Sequence, residues 1–148
     1  MPNTKLQVLR GDHEHCLVLT DFLKRALSET DLHKHSELVQ DFLMKWQSDL
    51  DEHFKKEESV LLPAYARYAS IDDPDFILLF LQHADIRRLV YELAEKNDSG
   101  IRADDTIQEL IQAMVQHVDH EESVLLPKME STIPEERLRA VVAQLTKW

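Results

Sequence analysis

Two stretches of the sequence, HFKKEESVLLP at residues 53–63 and HVDHEESVLLP at 117–127, set a histidine four residues ahead of a glutamate and share the run EESVLLP. Residues four apart on an α-helix lie on one face, with Cβ atoms roughly 5–6 Å apart. One cation can therefore touch His53 and Glu57, and another His117 and Glu121. Two further histidines, His13 and His83, sit on apolar stripes of their own and add nitrogens from neighbouring helices. The candidate metal set is thus His13, His53, Glu57, His83, His117 and Glu121. A mixed nitrogen and oxygen set without thiolate suits iron, manganese or zinc rather than iron–sulfur chemistry. Six protein ligands exceed what a single tetrahedral zinc takes, and two carboxylates with two oxygens each can bridge a pair of ions.

Helices must carry these residues. Apolar positions recur at three- and four-residue steps. Leu6, Leu9, Cys16, Leu23 and Leu27 form the stripe that includes His13. A polar stretch from Ser28 to Ser36, with His33 and His35 expected in solvent, precedes a second stripe from Val39 to Leu61 that contains His53 and Glu57 and that Pro63 ends or kinks. Asp73 and Pro74 are a capping residue and a first-turn proline for a third stripe, Phe76, Leu79, Phe80, His83, Ile86, Val90 and Leu93. Past a stop at Asn97 to Gly100, Asp104 or Asp105 can cap a fourth, from Ile107 through His117 and Glu121 to Leu125. A last segment from Pro134 lines up Leu138, Val141, Val142, Leu145 and Trp148, enough to cover one end or side.

The two HxxxE stretches are offset by 64 residues, and His13 and His83 by 70, so each half supplies one helix with His and one with His-x-x-x-Glu. Periodicity favours His13 over His15, and Glu57 and Glu121 over their neighbours Glu58 and Glu122, whose replacement by alanine is expected to be tolerated. His120, one turn after His117, reads as a residue that supports the ligands or as a rim residue. Cys16 reads as a small packed hydrophobe, and Tyr65, Tyr68 and Tyr91 as amphipathic residues near helix ends or sides.

On these stretches, together with DHEHCLVL around His13 and LQHADIRRLV around His83, the sequence resembles the hemerythrin-like family, or HHE cation-binding domain, over roughly residues 6–130. The resemblance implies an all-α, up-down four-helix bundle with a short extra C-terminal helix, at roughly 134–147, in a single domain over 1–148. It also implies two iron ions bridged by an oxo or hydroxo group, with zinc or manganese as the alternative, and O2 or NO as the small ligand. The oxygen carriers have a second histidine four residues after that of the third helix. Here Arg87 stands there, which argues against reversible oxygen carriage and for a more open, solvent-filled position at one ion.

Composition sets the remaining limits. A chain of 148 residues with 43% hydrophobic and 30% charged residues and two glycines is a helix-rich globular protein, not a disordered or fibrous one. A net charge of −11 argues against nucleic acid or an anionic membrane as partner. One cysteine forms no internal disulfide, and the start MPNTKLQVLRGDHEH has no apolar signal stretch, so a cytoplasmic location is expected. The chain has no zinc-protease His-Glu-x-x-His, no Gly-rich phosphate loop and no Ser-His-Asp pattern. The expected function is a non-haem di-iron protein that binds or senses O2, NO, iron or redox state, with no enzyme activity required. The alternatives are a di-iron oxidoreductase with an outside electron donor, and an interaction module stabilised by metal.

Overall fold

A computed structural model describes residues 6–147, with the side chain of Val8 left out. The described residues form five helices and no strand. Helix α1 is Gln7–Ser28. Helix α2 runs without a break over residues 32–66, its α-helical parts Leu32–Lys45, Asp51–Lys56 and Leu62–Ala66 joined by π turns at Trp46–Leu50 and Glu57–Leu61. Helix α3 is Pro74–Asp98. Helix α4 spans 104–132, as Asp104–His120, a π turn at Glu121–Leu125, and Leu126–Thr132. Helix α5 is Glu135–Thr146. No described helix is long and apolar enough to cross a membrane.

Helix α1 packs on α2 and α4, and α3 on the same two, so four helices close a ring and the fold is an all-α bundle. Short connections force neighbours to run antiparallel. Asp73 caps α3 as its sequence predicts, accepting from the Asp75 amide. Gly100, at φ +73°, sits in the left-handed region that glycine adopts freely, just past the end of that helix. Helix α4 differs from expectation: Ala103 is the flanking residue, without a side-chain cap, and Asp104 and Asp105 lie in the first turn, where their charge opposes the helix dipole's positive end.

Neither Pro63 nor Pro127 ends its helix. In a regular α-helix a proline ring meets the carbonyl four residues back and leaves it without a donor. Here the widened turn just before each proline absorbs that conflict: the Leu62 amide reaches back five residues to the Glu57 carbonyl, and the Leu126 amide to that of Glu121. The repeated EESVLLP is thus a repeated π turn.

Two apolar clusters fill the bundle. One joins Cys16, Leu23, Phe42, Trp46, Phe54, Ile86, Ile107 and Met114, and the other Leu9, Leu61, Phe76, Leu79, Leu125 and Met129. Leu138, Val141 and Leu145 of α5 belong to the second cluster, so α5 covers that end. Trp148 lies outside the described residues. Phe80 is not core, being 40% exposed on the outer side of α3.

The first connection is much shorter than the polar stretch 28–36 suggests, since Asp31 caps α2 and leaves only 29–31 as the turn. His35 is consequently buried, not solvated, and its Nδ1 donates to the Ala26 carbonyl at the end of α1. Arg102 adds donors to the carbonyls of Ala26, Leu27 and Glu29, closing the exposed end of α1 with a cation where the helix dipole is negative. Ala26 is thirteen residues, or about 20 Å of helix, from His13. Arg102→Ala is therefore expected to lower thermal stability by about 1–3 kcal/mol and to leave metal content unchanged, as calorimetry and elemental analysis on the same preparation would report.

Candidate metal centre

All six residues singled out by spacing meet in a layer between the two apolar clusters. His13 comes from α1, His53 and Glu57 from α2, His83 from α3, and His117 and Glu121 from α4, and each is at most 2% exposed. Ligand atoms of His53, Glu57, His117 and Glu121 all lie within 4.8 Å of one another. The imidazoles form two pairs, His13 with His53 and His83 with His117, the ring centroids 4.9 Å apart in each. Glu121 lies between the pairs. Its Oε2 is 2.6 Å from His13 Nε2 and 3.5 Å from His53 Nε2, while its Oε1 is 2.7 Å from His117 Nε2 and 3.8 Å from His83 Nε2. Glu57 Oε1 stands 3.1 Å from His53 Nε2 and 3.3 Å from His83 Nε2. Each half of the chain thus contributes one whole pair.

The other nitrogen of every imidazole is also engaged, and the partners run around the bundle in one sense. Asp12 of α1 accepts from His53 Nδ1 at 3.2 Å, and Glu58 of α2 from His83 Nδ1 at 2.8 Å. Gln82 of α3 accepts from His117 Nδ1 through its Oε1 at 2.9 Å, and Glu122 of α4 from His13 Nδ1 at 2.7 Å. An acceptor at Nδ1 fixes the tautomer with its proton there and turns the Nε2 lone pair inward. Each carboxylate in the ring has its own cation: Lys56 on Asp12, Arg10 on Glu122, and Arg87 bidentate on Glu58 at 2.8 and 3.0 Å.

The buried charges shift accordingly. Burial works against a charged imidazole at His83, but the carboxylates of Glu121, Glu57 and Glu58 outweigh it and hold the group up at about 10. His53 and His13 are raised for the same reason, burial being overcome chiefly by Glu57 at His53 and by Glu121 at His13. Burial likewise opposes a charged Glu121, yet His117, His13 and His53 draw its carboxyl well below the usual range. Glu58, resisted by burial, is held down at about 2 by His83 and Arg87.

His15 is exposed and takes no part, and His120 binds the Asp75 carbonyl at the rim. Cys16 is buried in the apolar cluster, where burial pushes its thiol up to about 12, so it packs and does not ionise. Tyr65 is core, stacked on Phe76. Two expectations change. Glu58 and Glu122 are not idle neighbours but the groups that orient His83 and His13. Nor does Arg87 leave a wet gap: it turns outward to Glu58 and Asp51, and the Phe54 ring beneath it stacks on His83 at 3.8 Å and meets His117 edge-on at 5.1 Å. An apolar ring fills that side. Spacing missed the Nδ1 partners, yet the signal was adjacent: each directly precedes or follows one of the six residues in sequence.

A family model described as the hemerythrin HHE cation binding domain matches residues 4–129, and again 76–147. Comparison with curated proteins gave no match, and comparison with solved structures gave none.

Opposite pH limbs follow from the shifts. The Glu58 contribution is complete above its ordinary value of 4.5 and is lost as pH falls toward about 2. The His83 contribution is complete below its ordinary 6.5 and is lost as pH rises through about 10. Chelator-stripped protein is expected to melt highest between pH 4.5 and 6.5. Glu58→Gln is expected to flatten the acid limb, and a midpoint still climbing at pH 9 would contradict the assignment.

Proposed function

The chain belongs to the hemerythrin HHE cation-binding domain family, and on that premise we propose that it binds two iron ions, one at each histidine pair, and uses them to bind or sense O2 or NO. The observation that carries this reading is Glu121, whose two oxygens address the two pairs separately. His13 and His53 would hold one ion, His83 and His117 the other, with Glu57 and Glu121 shared between them.

The residues present fit such ions. At the site, six buried atoms have no hydrogen-bond partner: Nε2 of His53, His83 and His117, both oxygens of Glu57, and Oε1 of Glu121. Leaving each without a partner costs about 1–3 kcal/mol, so together they approach the whole stability of a domain, roughly 5–15 kcal/mol. His117 Nε2 lies 2.7 Å from Glu121 Oε1 without hydrogen-bond alignment. A cation beside both atoms would satisfy His117 Nε2 and Glu121 Oε1 together. Zinc meets the same electrostatic need; optical spectra distinguish it from redox-active iron.

Bound iron supplies redox change and affinity for a diatomic ligand. The chain supplies the rest. Burial of all six side chains and the Phe54 wall exclude water, which strengthens every charge interaction inside. The outer ring keeps the four Nε2 lone pairs aimed. The groove of about 730 Å³ along Leu43, Trp46, Arg87 and Tyr91 has Glu58 in its lining but none of the six, so a large substrate seated there would not touch them. That favours binding or sensing over turnover.

Metal analysis with optical spectra, in air and after anaerobic reduction, tests the reading. About two irons per chain and a near-ultraviolet absorption that bleaches on reduction are expected; zinc alone, or one ion, would overturn it. Glu121→Ala is expected to lose both ions and Glu57→Ala to weaken both, and retention of two ions by Glu121→Ala would remove the shared role.

A further inference from the structure

The outer ring follows the internal repeat, with one break in charge. Asp12 precedes His13 and serves the histidine of the next helix, and Gln82, 70 residues on, precedes His83 and does the same. Glu58 and Glu122 correspond at an offset of 64. The cation beside Asp12 is Lys56, whose counterpart at the same offset, His120, faces away to the Asp75 carbonyl. Where one half has an ion pair behind its HxxxE histidine, the other has a neutral amide.

A carboxylate that accepts the Nδ1 proton leaves more electron density on Nε2 than an amide oxygen does, and hydrogen bonds to a charged acceptor are roughly twice as strong. Asp12 is slightly farther from its histidine than Gln82, 3.2 against 2.9 Å, but carries a full charge. His13 and His53 are both backed by carboxylates, whereas of the other pair only His83 is.

Resting on the two-ion reading, we propose that Gln82 makes the two positions unequal: the ion at His83 and His117 is held more weakly and exchanges first, and the ion at His13 and His53 is retained. Gln82 acts through His117 and is a positioning residue. The structure thereby distinguishes a resident position from an exchangeable one, the latter being where occupancy would report iron supply.

The test is anaerobic titration of ferrous iron against a chromogenic chelator, with wild type, Gln82→Glu and Asp12→Asn. Wild type is expected to bind in two steps about tenfold or more apart. Gln82→Glu is expected to tighten the weaker step about tenfold, a gain that damage to the fold does not produce. Asp12→Asn is expected to loosen the tighter step, so that the two converge. Two indistinguishable wild-type steps would overturn the proposal, as would a Gln82→Glu protein that melts like wild type with its weaker step unmoved. If Gln82→Glu does not fold, Asp12→Asn decides: convergence supports the proposal, and loosening of the weaker step overturns it. Fewer than two ions in wild type would instead sink the two-ion reading itself.

Discussion

Imidazole lone pairs and carboxylate oxygens face one another in a dry layer across the middle of this bundle, and much else in the structure answers to that confrontation. Buried charge is tolerated only when it is paired and hydrogen-bonded. The protein meets the demand from outside, with Asp12, Glu58, Gln82 and Glu122 taking the outer imidazole protons and Arg10, Lys56 and Arg87 neutralising the carboxylates among them. From inside, the demand is for positive charge at the centre. The apolar clusters on either side supply the low-dielectric walls that make it strict.

The same layer gives the π turns a reason. Glu57 and Glu121 are the first residues of the widened turns, four residues after histidines in ordinary α-helix. A residue inserted into a helical turn rotates everything beyond it by roughly 100°, from 3.6 residues per turn. Each carboxylate can thus share a face with its histidine while the following Leu-Leu-Pro is turned to pack elsewhere. Leu61 and Leu125 enter the second apolar cluster, and the prolines stay at the surface.

Much of this was legible in the sequence because it is written in a helical period. The four stripes, the Asp73 cap, the Gly100 stop and the convergence of His13, His53, Glu57, His83, His117 and Glu121 follow from spacing and from the repeat. What escaped was what neighbouring helices decide. His35 looks like a loop residue until the turn at 29–31 proves short enough to lay it against α1. Glu58 and Glu122 fall off the inward stripe of their own helices, and only the rotation of α3 and α1 beside them reveals that they reach a histidine. Phe54 likewise reads as an ordinary core residue, and its place against two imidazoles is a tertiary fact. A helix continuing through Pro63 contradicts the usual reading of proline, and nothing in EESVLLP taken singly announces the wide turn.

The outer ring, Asp12 to His53, Glu58 to His83, Gln82 to His117 and Glu122 to His13, closes on itself and has a hand. The hairpin of α1 and α2 contains one oriented histidine, His53, and one, His13, whose orienting group is on α4. The hairpin of α3 and α4 has the same arrangement, with His117 complete and His83 awaiting α2. Half a protein therefore holds half-prepared ligands, whatever its helix content. The centre becomes competent only when both hairpins have docked in the correct sense, so that metal retention certifies a finished assembly, and a slipped or swapped pairing is marked by the ion it fails to keep.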